Sequence, residues 1–470
     1  MCVAPPEHRK WGIMSLSEKG RTYVFFAIVV LACALGSLTQ TVMNSMLGGV
    51  EADFGVNASV GQWLTTIYML VLGITVPAVT FLSQRLSLRN VVFLALGLFL
   101  VGGIVDALAP TFGVLVFGRV LQAVGAGITL PVLQSIAMTR FPKGQNGTAM
   151  GIAGIAMGFA PNIGPLIGGA LVDSWGWRSF FWLFIAIVVL LILTALLLVA
   201  REDAPMRDAR FEGVSFLYSA LGFGGLLLAF SNAASLGVQS PLVWVPAVVG
   251  IACLVLFVAR QKRIEHPLIS MRIFGSSHFR ISFIAQNCLF ASFMGITLIV
   301  PLYVQGLCGG SAVEAGIVFI PATILAVVVN PLAGILSDKV GARPVVIVAA
   351  AFLTVGAVSM AFMDENTPLW MTTLMQTVRG MGVSALIGPL NSWGMSGLPR
   401  EIMMDASAFF AAVRQACASL GTAIMVLVIT SLSATAQSGA MGMSFAYQAA
   451  FGISAVLAAC VLAVAIAKVR

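Results

Sequence analysis

Three arginines fall inside stretches that are otherwise apolar: Arg119, Arg379 and Arg414. A bare charge at the centre of a bilayer costs roughly 2.5–3.5 kcal/mol on insertion scales, so each is a functional position by default. Such a group can couple to a proton site, or it can brace backbone carbonyls and hold the helices together. Few acids stand near enough in sequence to answer them. Asp106, Asp173, Glu314 and Asp405 lie at the ends of apolar stretches, where a carboxylate reads first as an interfacial or capping group. Asp106, four residues before Pro110, and Glu314, given access to water, are the next choices for a proton carrier. No stretch contains paired carboxylates, HExxH or a serine–histidine pair, so an enzyme is not expected. His8, His266 and His278 all fall in polar connections, which removes an intramembrane imidazole relay. The seven cysteines are scattered without a CxxC pair and read as packing residues, so neither metal nor disulfide is expected. A GxxxxGK[ST] phosphate loop is absent, which argues against direct coupling to ATP.

A second group of residues carries mechanics rather than charge. Gly158-Phe-Ala-Pro-Asn-Ile-Gly-Pro-Leu-Ile-Gly-Gly169 places Pro161 and Pro165 inside an apolar stretch. Each removes a backbone donor and bends a helix. Gly154, Gly158, Gly164 and Gly168 lie on a spacing that lets neighbouring helices approach closely, and Gly169 closes the string. Polar or amphipathic residues within the apolar stretches are the candidate substrate surface: Thr39, Gln40, Asn44, Trp63, Tyr68, Gln122, Asn162, Gln286, Asn287 and Gln415. The 22 methionines suit a surface that repacks around varied ligands, although most of them fill space between helices.

These residues need elements to hold them, and composition defines the elements. A chain of 470 residues with 59% hydrophobic and 9% charged residues is far from the roughly 25% charge of a soluble domain. The charges cluster between apolar stretches of about 20 residues, enough to cross a hydrocarbon core as helices. About fourteen such stretches occur, near 22–49, 59–81, 89–109, 112–137, 147–172, 178–200, 213–234, 242–260, 280–305, 313–337, 343–363, 368–392, 405–433 and 445–467. The first follows a polar N-terminus and is too long for a signal-peptide core, so it is read as retained. With both termini cytoplasmic, 21 of the 25 basic residues fall inside; only Arg178 falls outside. That alternation is the positive-inside pattern, and it accounts for the net charge of +8 without nucleic acid.

An internal repeat organises the stretches. Val76–Arg89 (VPAVTFLSQRLSLR) aligns with Asn330–Arg343 (NPLAGILSDKVGAR) at an offset of 254 residues. Pro77 matches Pro331, Leu82–Ser83 matches Leu336–Ser337, and Arg89 matches Arg343. The match pairs the second stretch with the tenth. Two six-helix halves in the same orientation, with two helices inserted between them, produce that shift. The division is 1–200 for the first six-helix bundle, 201–279 for two inserted helices with their linkers, and 280–470 for the second bundle.

On these residues the chain resembles the fourteen-helix drug:proton antiporter branch of the major facilitator superfamily. It most resembles bacterial multidrug exporters of the lincomycin-resistance type, from about Gln40 to Gly421. The repeat segment is similar to the family's G-x-L-S-D-R-x-G-R-R loop. The first copy is degraded, with Gln84 at the usual aspartate and Ser87 at a glycine; the second keeps Asp338. The resemblance implies that Asp338 caps a neighbouring helix or pairs with a basic group, latching the inner gate. Gly118-Arg-Val-Leu-Gln-Ala-Val-Gly-Ala-Gly127 is similar to the motif whose arginine, here Arg119, is thought to influence proton transfer. The Gly158–Gly169 string resembles the antiporter motif G-x-x-x-G-P-x-x-G-G. One departure matters: related exporters carry Leu-Asp-x-Thr-x-x-Asn in the first helix, and here Thr39 replaces the aspartate.

The implied fold is all-α and polytopic, a major facilitator fold of two six-helix bundles plus two inserted helices. The implied function is proton-coupled efflux of hydrophobic or amphiphilic drugs across the bacterial plasma membrane, by a monomer with no cofactor beyond the proton gradient. Export or flipping of an endogenous lipid or cell-wall precursor is the alternative, and a non-transporting sensor or scaffold a more distant one. A cavity lacking a central carboxylate should favour neutral, zwitterionic or anionic amphiphiles over permanent dications.

Overall fold

The computed structural model describes residues 18–142, 144–199, 212–237, 239–265, 267–435 and 440–469. The basic residues expected before 18 and within 200–211, with His8, Lys143, His266 and Arg470, lie outside the described residues. So do the side chains of Pro165 and Asp173. Among the described residues there is helix and no strand. A helix closes its own backbone hydrogen bonds, and these sequences have nothing else to close them with in lipid.

The first half comprises α1 (Glu18–Phe54), α2 (Trp63–Arg85), α3 (Leu88–Ala107) and α4 (Phe112–Thr139). It continues with α5, which runs as Asn146–Gly154, a π turn at Ile155–Phe159, then Ala160–Trp175, and ends with α6 (Arg178–Leu198). Two helices follow, α7 (Gly213–Leu236) and α8 (Pro241–Gln261). The second half comprises α9 (Ser277–Leu302, continued by a π turn at Tyr303–Leu307) and α10 (Ile320–Val340, led in by the short helix Ala312–Ile317). It closes with α11 (Ala342–Met360), α12 (Leu369–Ser396), α13 (Met403–Thr435) and α14 (Ala440–Lys468). Among the described residues twelve helices are long and apolar enough to cross a membrane. The two remaining long runs are α5, which the π turn at Ile155–Phe159 divides, and α12. The chain is a multi-pass membrane protein.

The long helices pack in two groups. α1 lies against α4 and α5, α3 against α4 and α6; in the second half α9 lies against α12, α13 and α14, and α11 against α12 and α14. The two groups meet along two lines. On one, the first part of α5 packs on α10 and α12; on the other, α13 packs on α2 and α4. α7 straddles the second line, touching both α2 and α13, and α8 packs on α7. Thr66 and Ser231 face each other across α2 and α7 with hydroxyls 3.4 Å apart, and Arg260 pairs with Glu212 at 3.0 Å at the base of α7 and α8.

The two copies of the repeat turn differently. Gly341 makes the α10–α11 turn at φ +88°, a conformation that glycine adopts without strain. Its counterpart Ser87 stays at φ −62° and uses its hydroxyl to accept from the Asn90 N–H at 3.3 Å, capping α3. The serine that departs from the motif therefore supplies a cap in place of a positive-φ turn.

At the end opposite these basic turns, Arg178 binds Asp53 at 2.5 Å and the Ala109 carbonyl at 3.3 Å. The indole of Trp177 donates to the same carboxylate at 2.9 Å. This cluster ties α1, the α3–α4 connection and α6 together within the first half.

Candidate functional site

The site forms where α4 crosses α1 and α3. Thr111 caps α4, and two turns on Arg119 is fully buried. Its Nη1 donates to Gln122 Oε1 at 3.0 Å, and its Nη2 donates to the backbone carbonyl of Thr39 in α1 at 3.1 Å. The guanidinium also sits over the Tyr68 ring, 4.3 Å from its centre. Tyr68 in turn donates to the Gly36 carbonyl at 2.8 Å. Arg119 and Tyr68 thus fasten α4 and α2 to adjacent turns of α1. Thr39, at the position where related exporters have an acid, serves through its backbone.

Asp106 enters the same packing from α3. It is fully buried, and neither carboxylate oxygen has a hydrogen-bond partner among the described residues. It lies within electrostatic reach of Arg119. Its carboxyl rests against Gly118, where any Cβ would collide with Oδ1. The glycine before the motif arginine is what leaves room for the acid. An interfacial or capping role, the first reading of its place near a helix end, does not describe this surrounding. Glu314 does have such a role: it completes a capping box with Ser311. Asp405 accepts the Ser270 N–H at 2.8 Å and docks the linker after α8 onto the start of α13.

The second half repeats the arginine. Arg379 in α12 is fully buried, and its Nη2 donates to the Ser292 carbonyl of α9 at 2.9 Å. Its Nη1 reaches Gln376 Oε1 at 3.5 Å. In each half, then, the fourth helix grips a carbonyl in the middle of the first through an arginine steadied by a glutamine one turn away. No carboxylate accompanies Arg379 among the described residues, so the acid–arginine pair belongs to the first half alone. Arg414, in α13, is different again: its guanidinium lies over Phe290, 4.5 Å from the ring centre.

Asp338 makes the contact between halves. Helix α5 begins after Gln145, whose side chain gives no cap. The cap comes from α10: Asp338 Oδ1 accepts the Gly147 N–H at 2.8 Å, and Oδ2 accepts the Thr148 N–H and hydroxyl, both at 2.6 Å. A carboxylate at a helix start satisfies orphan donors and meets the positive end of the dipole. Gln84, the equivalent residue in the first copy, makes no such bond among the described residues. Asp338→Ala should therefore cost about 0.5–2 kcal/mol, the usual loss on removing a helix cap. In detergent the melting midpoint of this variant should fall, and a variant melting with the parent would show that the contact contributes nothing.

The glycines of α5 divide at the π turn. Gly147, Gly151 and Gly154 face the second half, against Gly334, Asn330 and Gly388. Gly164 and Gly168 face α1, against Thr41, Val42 and Ser45. Gly158 makes only an ordinary contact with Ile387, and a Cβ at Gly169 would meet nothing within 4 Å. A π turn shifts the register of everything beyond it, so one glycine-rich sequence serves two different neighbours. Pro161 follows directly after the π turn and is buried.

The polar residues named from the sequence fall into two sets. Thr39, Tyr68 and Gln122 are buried and committed to the Arg119 brace. Gln286 is buried against Ser282 at 3.5 Å, and Asn287 donates to the Phe283 carbonyl at 2.7 Å. Gln40, Asn162 and Gln415 are half-buried, and Asn44, exposed, accepts from the Thr65 hydroxyl at 3.2 Å. Trp63 is 46% exposed at the start of α2. Two residues outside that set now stand out. Asn330 and Asn391 are fully buried, with amide atoms lacking partners among the described residues, and Asn330 lies against Gly154 on the line between halves. The signal was an asparagine in an apolar run directly before Pro331.

With this geometry in view, comparison with known proteins is informative. The profile of the Major Facilitator Superfamily matches residues 29–422. An uncharacterized MFS-type transporter of Bacillus subtilis (strain 168), YcnB, is 33% identical over 416 residues, covering 88% of this chain and 87% of the relative. The lincomycin resistance protein LmrB of the same organism is 30% identical over 415 residues, covering 88% and 86%. Among solved structures, the human organic anion transporter MFSD10 superposes with a TM-score of 0.65 at 14% identity, covering 94% of this chain and 99% of that one. At that identity the likeness concerns the fold alone.

Proposed function

The chain belongs to the Major Facilitator Superfamily, and from that premise we propose that it exports amphiphilic small molecules across a bacterial plasma membrane in exchange for protons. The observation that carries the reading is Asp106, a buried carboxyl with no hydrogen-bond donor among the described residues, beside an arginine that holds α1. Ionised, it has Arg119 as a counter-charge; protonated, it leaves Arg119 to its carbonyl and glutamine. A group with two tolerable charge states inside the packing is what proton exchange requires.

All fourteen helices, α5 and α12 included, cross the bilayer in this reading, with both termini and the basic turns on the cytoplasmic side. Residues 1–200 and 280–470 rock against each other as bundles, and 201–279 supply the two added helices. The Asp338 cap then holds the cytoplasmic gate closed, and loading Asp106 changes the grip of α4 on α1. Kinship with proteins named for lincomycin resistance favours drug-like cargo. The gradient is sufficient: about 2.3 kcal/mol per charge per 100 mV sustains a roughly fifty-fold accumulation. A monomer suffices, and no cofactor is required.

The test is uptake of a neutral lipophilic drug into inverted vesicles, with and without a proton gradient. Accumulation should collapse on adding an uncoupler. Arg119→Ala removes two charged hydrogen bonds and should lower uptake by about tenfold or more. Uptake that survives uncoupling would remove the proton from the mechanism.

A further inference from the structure

Arg414 is the intramembrane charge that the mechanism above leaves unused. It stands eleven residues after the start of α13, about 16 Å along the helix, near the middle of a roughly 30 Å hydrocarbon core. Arg119 and Arg379 each have a backbone carbonyl and a glutamine. Arg414 makes no hydrogen bond or ion pair among the described residues, and its Nη1 is buried without a partner. The side chain is not sealed in: the residue is half-buried. Asp405, on the same helix, is nine residues away, about half a turn out of phase, and occupied by Ser270. The described ion pairs lie elsewhere, at Arg178–Asp53 and Arg260–Glu212.

An uncompensated guanidinium at mid-membrane needs an anion, and the described residues do not provide one. We infer that Arg414 anchors the negative group of the cargo, an organic anion whose carboxylate or sulfonate is carried on an apolar aromatic body. This deepens the export reading and rests on it for the identity of the ligand as cargo. The forked guanidinium takes two oxygens of such a group side by side, with strength and geometry that an ammonium lacks. Phe290 beneath it holds the guanidinium plane in place and offers apolar surface beside the charge. Arg414 belongs to α13, which packs on α2 and α4 of the first half, so an anion bound there sits on a helix of the line where the halves meet.

The experiment measures binding of tritiated 1-naphthaleneacetate and of its neutral counterpart, 1-naphthaleneethanol, to the purified full chain in phosphatidylcholine nanodiscs. The wild-type protein should prefer the carboxylate. In Arg414→Gln that preference should shrink by about tenfold or more, the loss of a charge-assisted bidentate contact. Arg414→Lys should keep part of it, and carries the test if the glutamine variant does not fold. Equal affinity for both probes in the wild-type chain, or a preference untouched in both variants, overturns the proposal. Loss of carboxylate binding on adding phosphatidylglycerol would assign the anchor to a lipid phosphate and overturn it as well. The two readings fail separately. Arg414-dependent binding without accumulation in vesicles would sink export and spare the anchor, whereas proton-driven uptake of a neutral drug with no carboxylate preference would do the reverse.

Discussion

Asp106→Asn abolishes proton-driven accumulation while exchange of substrate across the membrane continues. The substitution keeps the volume of the side chain, so Gly118 still has room for it and α3 still packs on α4. What it removes is the second charge state. Arg119 retains Gln122, the Thr39 carbonyl and the Tyr68 ring, so the brace to α1 persists. With the proton site gone, a pH gradient has nothing to act on, and substrate equilibrates without being concentrated. The measurement is a pair of assays on one preparation: gradient-driven uptake into inverted vesicles, and counterflow of labelled against unlabelled substrate. Loss of uptake with counterflow intact is the expected pair. Uptake equal to wild type would place the proton elsewhere and return Asp106 to a packing role.

That prediction depends on features of unequal visibility in the sequence. Arg119 could be found at once, because an arginine in an apolar stretch is conspicuous whatever surrounds it. Its partners could not. Thr39 contributes a carbonyl, which every residue owns, and Tyr68 contributes a ring whose place depends on how α2 crosses α1. The burial of Asp106 was hidden for a related reason. Its place near the end of an apolar run suggests an interface, and only the space at Gly118 on another helix shows that it is taken into the packing. The all-helical character was legible because long apolar runs in lipid have helix as their means of closing backbone hydrogen bonds. The π turn in α5 was not, since nothing in the composition of Ile155–Phe159 marks it. The glycines beyond it therefore looked like one stripe when they serve two neighbours. The offset in the repeat points to two added helices, but the seat of α7 across α2 and α13 is a matter of packing that no offset reveals.

Gly334→Val should disable transport by holding the two halves apart at the end where Asp338 caps α5. A Cβ at Gly334 would overlap the Gly147 carbonyl oxygen and sit 3.0 Å from Thr148 Cα, so the obstacle is backbone and cannot rotate away. The neighbouring contacts are equally close: a Cβ at Gly388 would lie 2.9 Å from Gly151 Cα. Overpacking a tight contact costs about 1–3 kcal/mol, and here that cost falls on one conformation only, the one in which this line is closed. Once α5 and α10 separate, the strain vanishes, as do the hydrogen bonds from Gly147 and Thr148 to Asp338. The equilibrium should thus shift about 5- to 150-fold toward the state open at this end. Ile387→Cys provides the readout, in a background without native cysteines. Ile387 is fully buried on this line, opposite Gly158. A membrane-impermeant maleimide applied from the side of the basic turns should label it faster in the Gly334→Val background than in the parent. Export should fall in parallel, because a transporter that cannot close one gate cannot complete a cycle. Unchanged labelling with export lost would mean that the valine damages the fold rather than the gate. Unchanged labelling with export intact would mean that the glycine contact is incidental to the cycle.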